Sequence, residues 1–112
     1  MKEVKAIIQP FMLSKVVDAL QAIEGLPGVT VSEIKGFGRG RAHDAEVKVV
    51  DGDIEYAKKA KLEIVVPDRL LGAVLDVVKK EAHTGRPGDG LIFVSTVEDV
   101  IRIRTGERES YT

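Results

Sequence analysis

Three places in the chain set glycines beside arginines: Gly36-Phe37-Gly38-Arg39-Gly40-Arg41, Thr84-Gly85-Arg86-Pro87-Gly88-Asp89-Gly90, and the pair Arg102 and Arg104. Glycines expose backbone N–H groups and guanidinium groups make charge-assisted hydrogen bonds, which together is what a phosphate needs. Each spot also has a plainer reading, as a turn with solvated arginines. Two regular phosphate motifs fail on their spacing. Gly85 and Gly90 stand as in GxxxxG, but Leu91-Ile92 follow where a lysine and a Ser or Thr are required, so this is not a Walker A loop. Gly36, Gly38 and Gly40 read GxGxG rather than GxGxxG and lead into a loop instead of a helix, so a Rossmann reading fails as well.

A second cluster, His43, Asp44, Glu46, Asp51, Asp53 and Glu55, has the oxygen ligands of a hard cation or is simply a solvated acidic loop. It lacks the order of an EF-hand, and Asp51-Gly52-Asp53 is also ordinary turn chemistry. His83, near the end of a predicted helix, is expected to face the helix dipole. Catalysis finds little support: Ser14, Ser32 and Ser95 fall in or beside regular elements, and no histidine is placed near them by sequence. The chain contains no cysteine, asparagine or tryptophan. Thiol catalysis, disulfides and zinc ribbons are therefore excluded, and acylphosphatase chemistry lacks the asparagine that would position its water. A binding protein is expected, not an enzyme.

The elements that must position these groups are legible from periodicity. Val4, Ala6 and Ile8 alternate over 2–8 and Pro10 ends the run, which predicts a first strand. Leu13, Val16, Val17, Leu20 and Ile23 recur at three and four, a helix closed by Gly25-Leu26-Pro27-Gly28. The β-branched stretch 29–35 predicts a second strand running into the first glycine cluster. Little period of either kind marks 41–59, and the third strand is expected over 61–66. Pro67-Asp68 opens a second helix over 68–83 with Asp68 as its N-cap and a stripe of Leu71, Val74, Leu75, Val78 and Ala82. A tight loop at 84–90, a buried strand at 91–94 and a short strand from Val100 to Arg104 complete the chain, the last placing Arg102 and Arg104 on one face.

Strand, helix, strand, strand, helix, strand is the α+β, ferredoxin-like βαββαβ order. At 112 residues the chain makes one domain, 1–112, able to bury a core without metal or disulfides. A sheet covered by helices on one face alone calls for a small oligomer on the other. The formal charge of −1 gives no overall pull toward nucleic acid or anionic membrane. An RNA-recognition domain shares this topology, but it stacks bases on aromatic side chains, and 4 % aromatic residues with no RNP pattern excludes it. With no signal sequence and no membrane span, a cytoplasmic location is expected.

Ala6-Ile7-Ile8-Gln9-Pro10-Phe11, Val31-Ser32-Glu33-Ile34-Lys35-Gly36-Phe37-Gly38-Arg39, Lys61-Leu62-Glu63-Ile64-Val65-Val66-Pro67-Asp68, Thr84-Gly85 through Gly88-Asp89-Gly90, Ile92-Phe93-Val94 and Ile101-Arg102-Ile103-Arg104-Thr105-Gly106-Glu107 together resemble the PII signal-transduction family, from Lys2 to about Glu107. The three glycine-and-arginine spots fall on that family's T-loop (37–58), B-loop (84–90) and C-loop (102–108). The resemblance implies a homotrimer whose clefts between subunits bind ATP or ADP, with AMP as a further candidate and magnesium as a companion ion. Nucleotide state would then set the shape of the T-loop. By family likeness Gly36, Phe37, Gly38 and Arg39 border the phosphates, as do Gly88, Asp89 and Gly90. Arg102 and Arg104 reach across from the neighbouring subunit, and Ile7, Thr30, Glu63 and Val65 surround the adenosine.

The departures from the family pattern carry expectations of their own. Gly40 stands where the family usually has a glutamine that helps hold magnesium and 2-oxoglutarate, which argues against sensing of that metabolite although Lys59 matches the lysine that pairs with it. Leu91 replaces a B-loop lysine, with Arg86 as a partial substitute, so a shifted nucleotide preference is expected. Gly52 and Val50 occupy the positions of the modified tyrosine and serine of other members, which predicts no such modification; Tyr56 is expected to pack at the loop base. Arg41, His43, Asp44, Glu46, Lys48, Asp51 and Asp53 form the expected partner-binding surface. By this likeness the chain looks like a divergent branch that regulates a membrane transporter, or keeps the ordinary nitrogen role toward an ammonium channel or a glutamine-metabolism enzyme. A third reading, independent of nucleotide, is a metal- or small-anion-sensing trimer that uses the acidic loop itself.

Overall fold

The computed structural model describes residues 1–37, 48–52 and 54–109, and the backbone alone of residues 48, 49, 51 and 54. Its elements are β1 (Lys2–Ile8), a 3-10 turn (Pro10–Met12), α1 (Leu13–Gln21), β2 (Thr30–Gly36), β3 (Lys48–Asp51), β4 (Ile54–Val66), α2 (Asp68–Glu81) and β5 (Gly90–Thr96). The strands form an antiparallel sheet in the order β2-β4-β1-β5, the ferredoxin-like arrangement. Alternation sets which face is covered. Val4, Ala6 and Ile8 of β1 and Leu62, Ile64 and Val66 of β4 are buried against Val16 and Leu20 of α1 and Leu70, Val74 and Val78 of α2. Each fully buried Leu, Ile or Val contributes about 1.5–3 kcal/mol, so this interface carries most of the fold's driving force. Among the described residues, no helix is long and apolar enough to cross a membrane.

Among the described residues, no helix covers the opposite face. Because side chains alternate, Lys5, Ile7, Thr30, Ile34, Lys61, Glu63, Val65, Leu91 and Phe93 project from it. Leu91 and Phe93 are 65 % and 50 % exposed, a large apolar area for a chain on its own.

Several boundaries differ from the sequence reading. The third strand begins at Ile54, well before 61, because its first half finds partners: β3 opposite Ile54 to Ala57 and β2 from Ala57 onward, with Ala57 opposite both Gly36 and Lys48. Since β2 takes one flank of Ala57, β3 takes the other, along the side that β1 pairs from Ala60 onward. The 41–59 stretch, expected to lack structure of its own, thus holds β3 and the start of β4. Gly52, with φ of +63°, makes the turn between them, a backbone region that favours glycine. Tyr56 pairs with Val49 and lies under the Lys35 ammonium, 5.0 Å from its ring centre.

Pro67, not Asp68, occupies the N-cap position of α2 and makes no side-chain cap bond. Asp68 lies in the first turn, its carboxylate 3.1 Å from the terminal ammonium of Met1, which by hydrogen bond and charge holds its pKa below the usual value. The helix ends at Glu81 rather than 83. The strand expected from Val100 to Arg104 is a single bridge, Ile101 opposite Arg108, closing a turn in which the Arg102 N–H donates to Glu107 O and the Gly106 N–H to Arg102 O. Residues 103–105 are turn, so strand alternation does not set the directions of Arg102 and Arg104.

Candidate functional site

One end of the sheet gathers most of the described candidates. β1 and β2 both run toward it and stop there, at Ile8 and Gly36, and β5 starts there at Gly90. Ile8 faces Gly90 across the β1–β5 ladder and Ala60 across the β1–β4 ladder, while Gly36 faces Ala57. The exit of β2 into Phe37 and the loop before β5 therefore open on the same side. Thr30 sits directly across from Glu63, Ile7 across from Lys61 and Leu91, and Val65 across from Glu3, all on the helix-free face. Glu63 is 3.4 Å from the Lys61 ammonium.

The 84–90 loop is held by its own side chains. The Asp89 carboxylate accepts from the Thr84 amide at 2.9 Å, from the Gly85 amide at 3.1 Å and from the Thr84 hydroxyl. That hydroxyl in turn accepts the Arg86 amide at 3.1 Å. Desolvation pushes the Asp89 carboxyl up, but the Thr84 and Gly85 donors and the nearby His83 charge outweigh it and hold the group below the ordinary carboxylate range. His83 lies past the end of α2 with Nδ1 3.5 Å from Asp89 Oδ2, so it faces this carboxylate rather than the helix dipole.

The close of the loop is fixed by backbone approach. Gly90 has φ of +109°, and a Cβ added there would fall 1.7 Å from the Ile7 carbonyl oxygen. No residue but glycine fits. Two donors meet the Gly88 carbonyl: Gln9 Nε2 at 2.8 Å and Lys59 Nζ at 3.1 Å. Lys59 thus comes from the middle of β4, opposite Ile34 of β2, to the glycine loop.

The segment that carries Arg102 and Arg104 leaves the sheet at the opposite end. The chain leaves β5 at Thr96, opposite Lys2, and the Val97 N–H bonds to Met1 O. The length of β5, about 20 Å at ~3.4 Å per residue, separates that exit from Gly90. Both arginines are exposed, and Arg102 Nε pairs with Glu109 Oε1. Gly38, Arg39, Gly40, Arg41, His43, Asp44, Glu46 and Asp53 lie outside the described residues, as do the side chains of Lys48 and Asp51. Among the described residues, no three His, Asp or Glu side chains stand together as a metal site.

Two residues of this end escaped the sequence reading. Thr84 and Gln9 stand in the segments that carry the family resemblance, but no role was assigned to either. Gln9 is 2 % exposed, and its partner is 79 positions away, a pairing no local pattern announces.

Fold and site together define a ferredoxin-like α+β domain with a preformed glycine loop at one sheet end and an exposed arginine turn at the other. The family model for nitrogen regulatory protein P-II matches residues 1–107. Curated relatives extend over nearly all of the chain. The nitrogen regulatory protein P-II of Rhizobium meliloti is 49 % identical over 107 residues, 96 % of this chain and 95 % of that one. That of Bradyrhizobium diazoefficiens is 48 % identical with the same coverage. Nitrogen regulatory protein P-II 1 of Escherichia coli is 45 % identical over 109 residues, covering 97 % and 96 %. This chain belongs to the nitrogen regulatory protein P-II family, a family of signalling regulators.

Proposed function

We propose that the chain is the protomer of a homotrimeric adenine-nucleotide sensor, with each binding site divided between two copies. The observation that carries this reading is the split of the anion-binding groups. Gly36, Phe37, Lys59, Gly88, Asp89 and Gly90 meet at one end of the sheet, while Arg102 and Arg104 leave from the other. A second copy laid against the helix-free face would cover Ile7, Leu91 and Phe93 and carry its own arginine turn toward the first copy's glycine loop. ATP or ADP, with AMP as a third ligand, fits such a site: N–H groups of the loop and two guanidiniums serve the phosphates, and Ile7, Thr30, Glu63 and Val65 the adenosine.

The output of this sensor is the segment 37–58, including Arg41, His43, Asp44, Glu46, Lys48, Asp51 and Asp53. A ligand that contacts two conformers of this segment unequally shifts their balance, and ATP and ADP differ by a phosphate with which to do so. Its target is a nitrogen-metabolism enzyme or a membrane transporter, and the relatives' shared name favours the nitrogen role.

Calorimetry with ATP, ADP and AMP, each with and without magnesium and 2-oxoglutarate, tests the reading. Micromolar nucleotide binding that Arg102→Ala weakens by about 2–5 kcal/mol is expected. Binding indifferent to 2-oxoglutarate follows from Gly40, and strengthening by it would restore that metabolite through Lys59. A wild-type protein that ignores nucleotide but binds a metal ion, and loses it in Asp51→Ala and Asp53→Ala, overturns the proposal for the metal-sensing alternative.

A further inference from the structure

The β1–β5 ladder ends at Ile8 opposite Gly90, and Pro10, which has no N–H, begins the 3-10 turn that follows. One residue beyond the ladder, the Gln9 side chain supplies what the backbone no longer does: its Nε2 donates to Gly88 O at 2.8 Å. The main chain of Gln9 is itself tied down, its carbonyl accepting the Met12 N–H at 3.0 Å. Lys59 Nζ donates to the same Gly88 oxygen at 3.1 Å, and a carbonyl has two lone pairs, so both bonds coexist. The two donors differ in kind. Gln9 is neutral, short and 2 % exposed, whereas Lys59 is a partly exposed cation on a flexible stem, the group an incoming anion attracts.

The amide of Gln9 is turned at a cost. Its Oε1 is buried and finds no hydrogen-bond partner among the described residues, and reversing the amide would set that oxygen against Gly88 O and lose the bond. The orientation observed satisfies the loop and leaves the side chain's own acceptor unpaired.

We propose that Gln9 is a positioning residue for the 88–90 loop, sharing the Gly88 carbonyl with Lys59 so that the loop keeps its shape when an anionic ligand draws Lys59 away. The idea rests on the reading of this loop as an anion site. Gly90 is fixed by its approach to Ile7, and Gly88 by Gln9, so two residues of one short segment hold both ends of the 88–90 stretch.

Amide hydrogen exchange on the full chain, with and without ATP, tests this in Gln9→Met, which keeps length but has no donor, and in Gln9→Glu, which sets an acceptor against Gly88 O. Exchange at residues 88–90 is expected to rise about tenfold in Gln9→Met and further in Gln9→Glu, while core amides such as those of Val4 and Leu62 stay protected. ATP affinity is expected to fall about tenfold in Gln9→Met. Unchanged exchange at 88–90 overturns the proposal, and so does a rise spread evenly over the core, which marks a merely structural role. Wild-type protein that fails to bind ATP overturns the nucleotide reading instead, and the exchange pattern without ligand still decides the role of Gln9.

Discussion

The two ends of β5 are built on opposite plans. At Gly90 the backbone is pressed against Ile7, Asp89 is tied to Thr84 and Gly85, and Gly88 is held by Gln9 just past β1 and by Lys59 of β4. Past Thr96 the chain makes a turn held by its own bonds, with Ile103 99 % exposed and its arginines at the surface. At the first end the hydrogen bonds that shape the loop are made within the protomer. The second presents its arginines and Ile103 at the surface, the contrast on which the proposal of a site shared between copies rests.

The contrast can be broken most forcefully at Gly90. Gly90→Ala puts a methyl group inside the Ile7 carbonyl and is expected to cost about 3 kcal/mol or more in chemical denaturation, since backbone rather than a flexible side chain must give way. Stability close to wild type would mean that the loop end is far softer than its geometry.

Asp89→Ala is expected to cost less, about 1–2 kcal/mol, by orphaning the Thr84 and Gly85 donors. Because the folded carboxyl titrates below its unfolded value, its contribution is complete above about pH 4 and is lost as pH falls through the lower folded value. Denaturation of wild type and Asp89→Ala across the acid range should show the gap between them closing below about pH 4. A gap constant down to the lowest pH would remove Asp89 as its source.

At the other end, Arg108→Ala breaks an exposed pair, Nε to Asp99 Oδ2 at 3.0 Å, and is expected to shift stability by no more than about 0.5 kcal/mol. A loss as large as that of Asp89→Ala would show the C-terminal turn to be as much a part of the protomer's fold as the glycine loop.

The helices and the core strands were legible because their buried residues repeat at one period, as Val4, Ala6 and Ile8 do. The early half of β4 was not, since Ala57 and Ala60 are both buried yet an odd number of positions apart, and its strand character comes from β2 and β3, which are distant in sequence. Ile101 and Ile103 misled in the other direction: they alternate like a strand, but only Ile101 finds a bridge and the chain turns at once. In the site, glycines and arginines announced the loops by residue type. The ties that shape the 88–90 loop, from Gln9 and Lys59, depend on contacts across the sheet that no local spacing encodes.

The division of the site between copies is tested most directly by complementation. In the proposed trimer, Arg102→Ala damages only the arginine turn and Asp89→Ala only the glycine loop, and either variant alone is expected to bind ATP poorly. Co-expressed as mixed trimers, purified by two different tags and titrated calorimetrically, they should regain tight ATP binding at those interfaces where an intact loop meets an intact turn. Mixed trimers as weak as either parent would contradict the account, placing loop and arginines in the service of different sites.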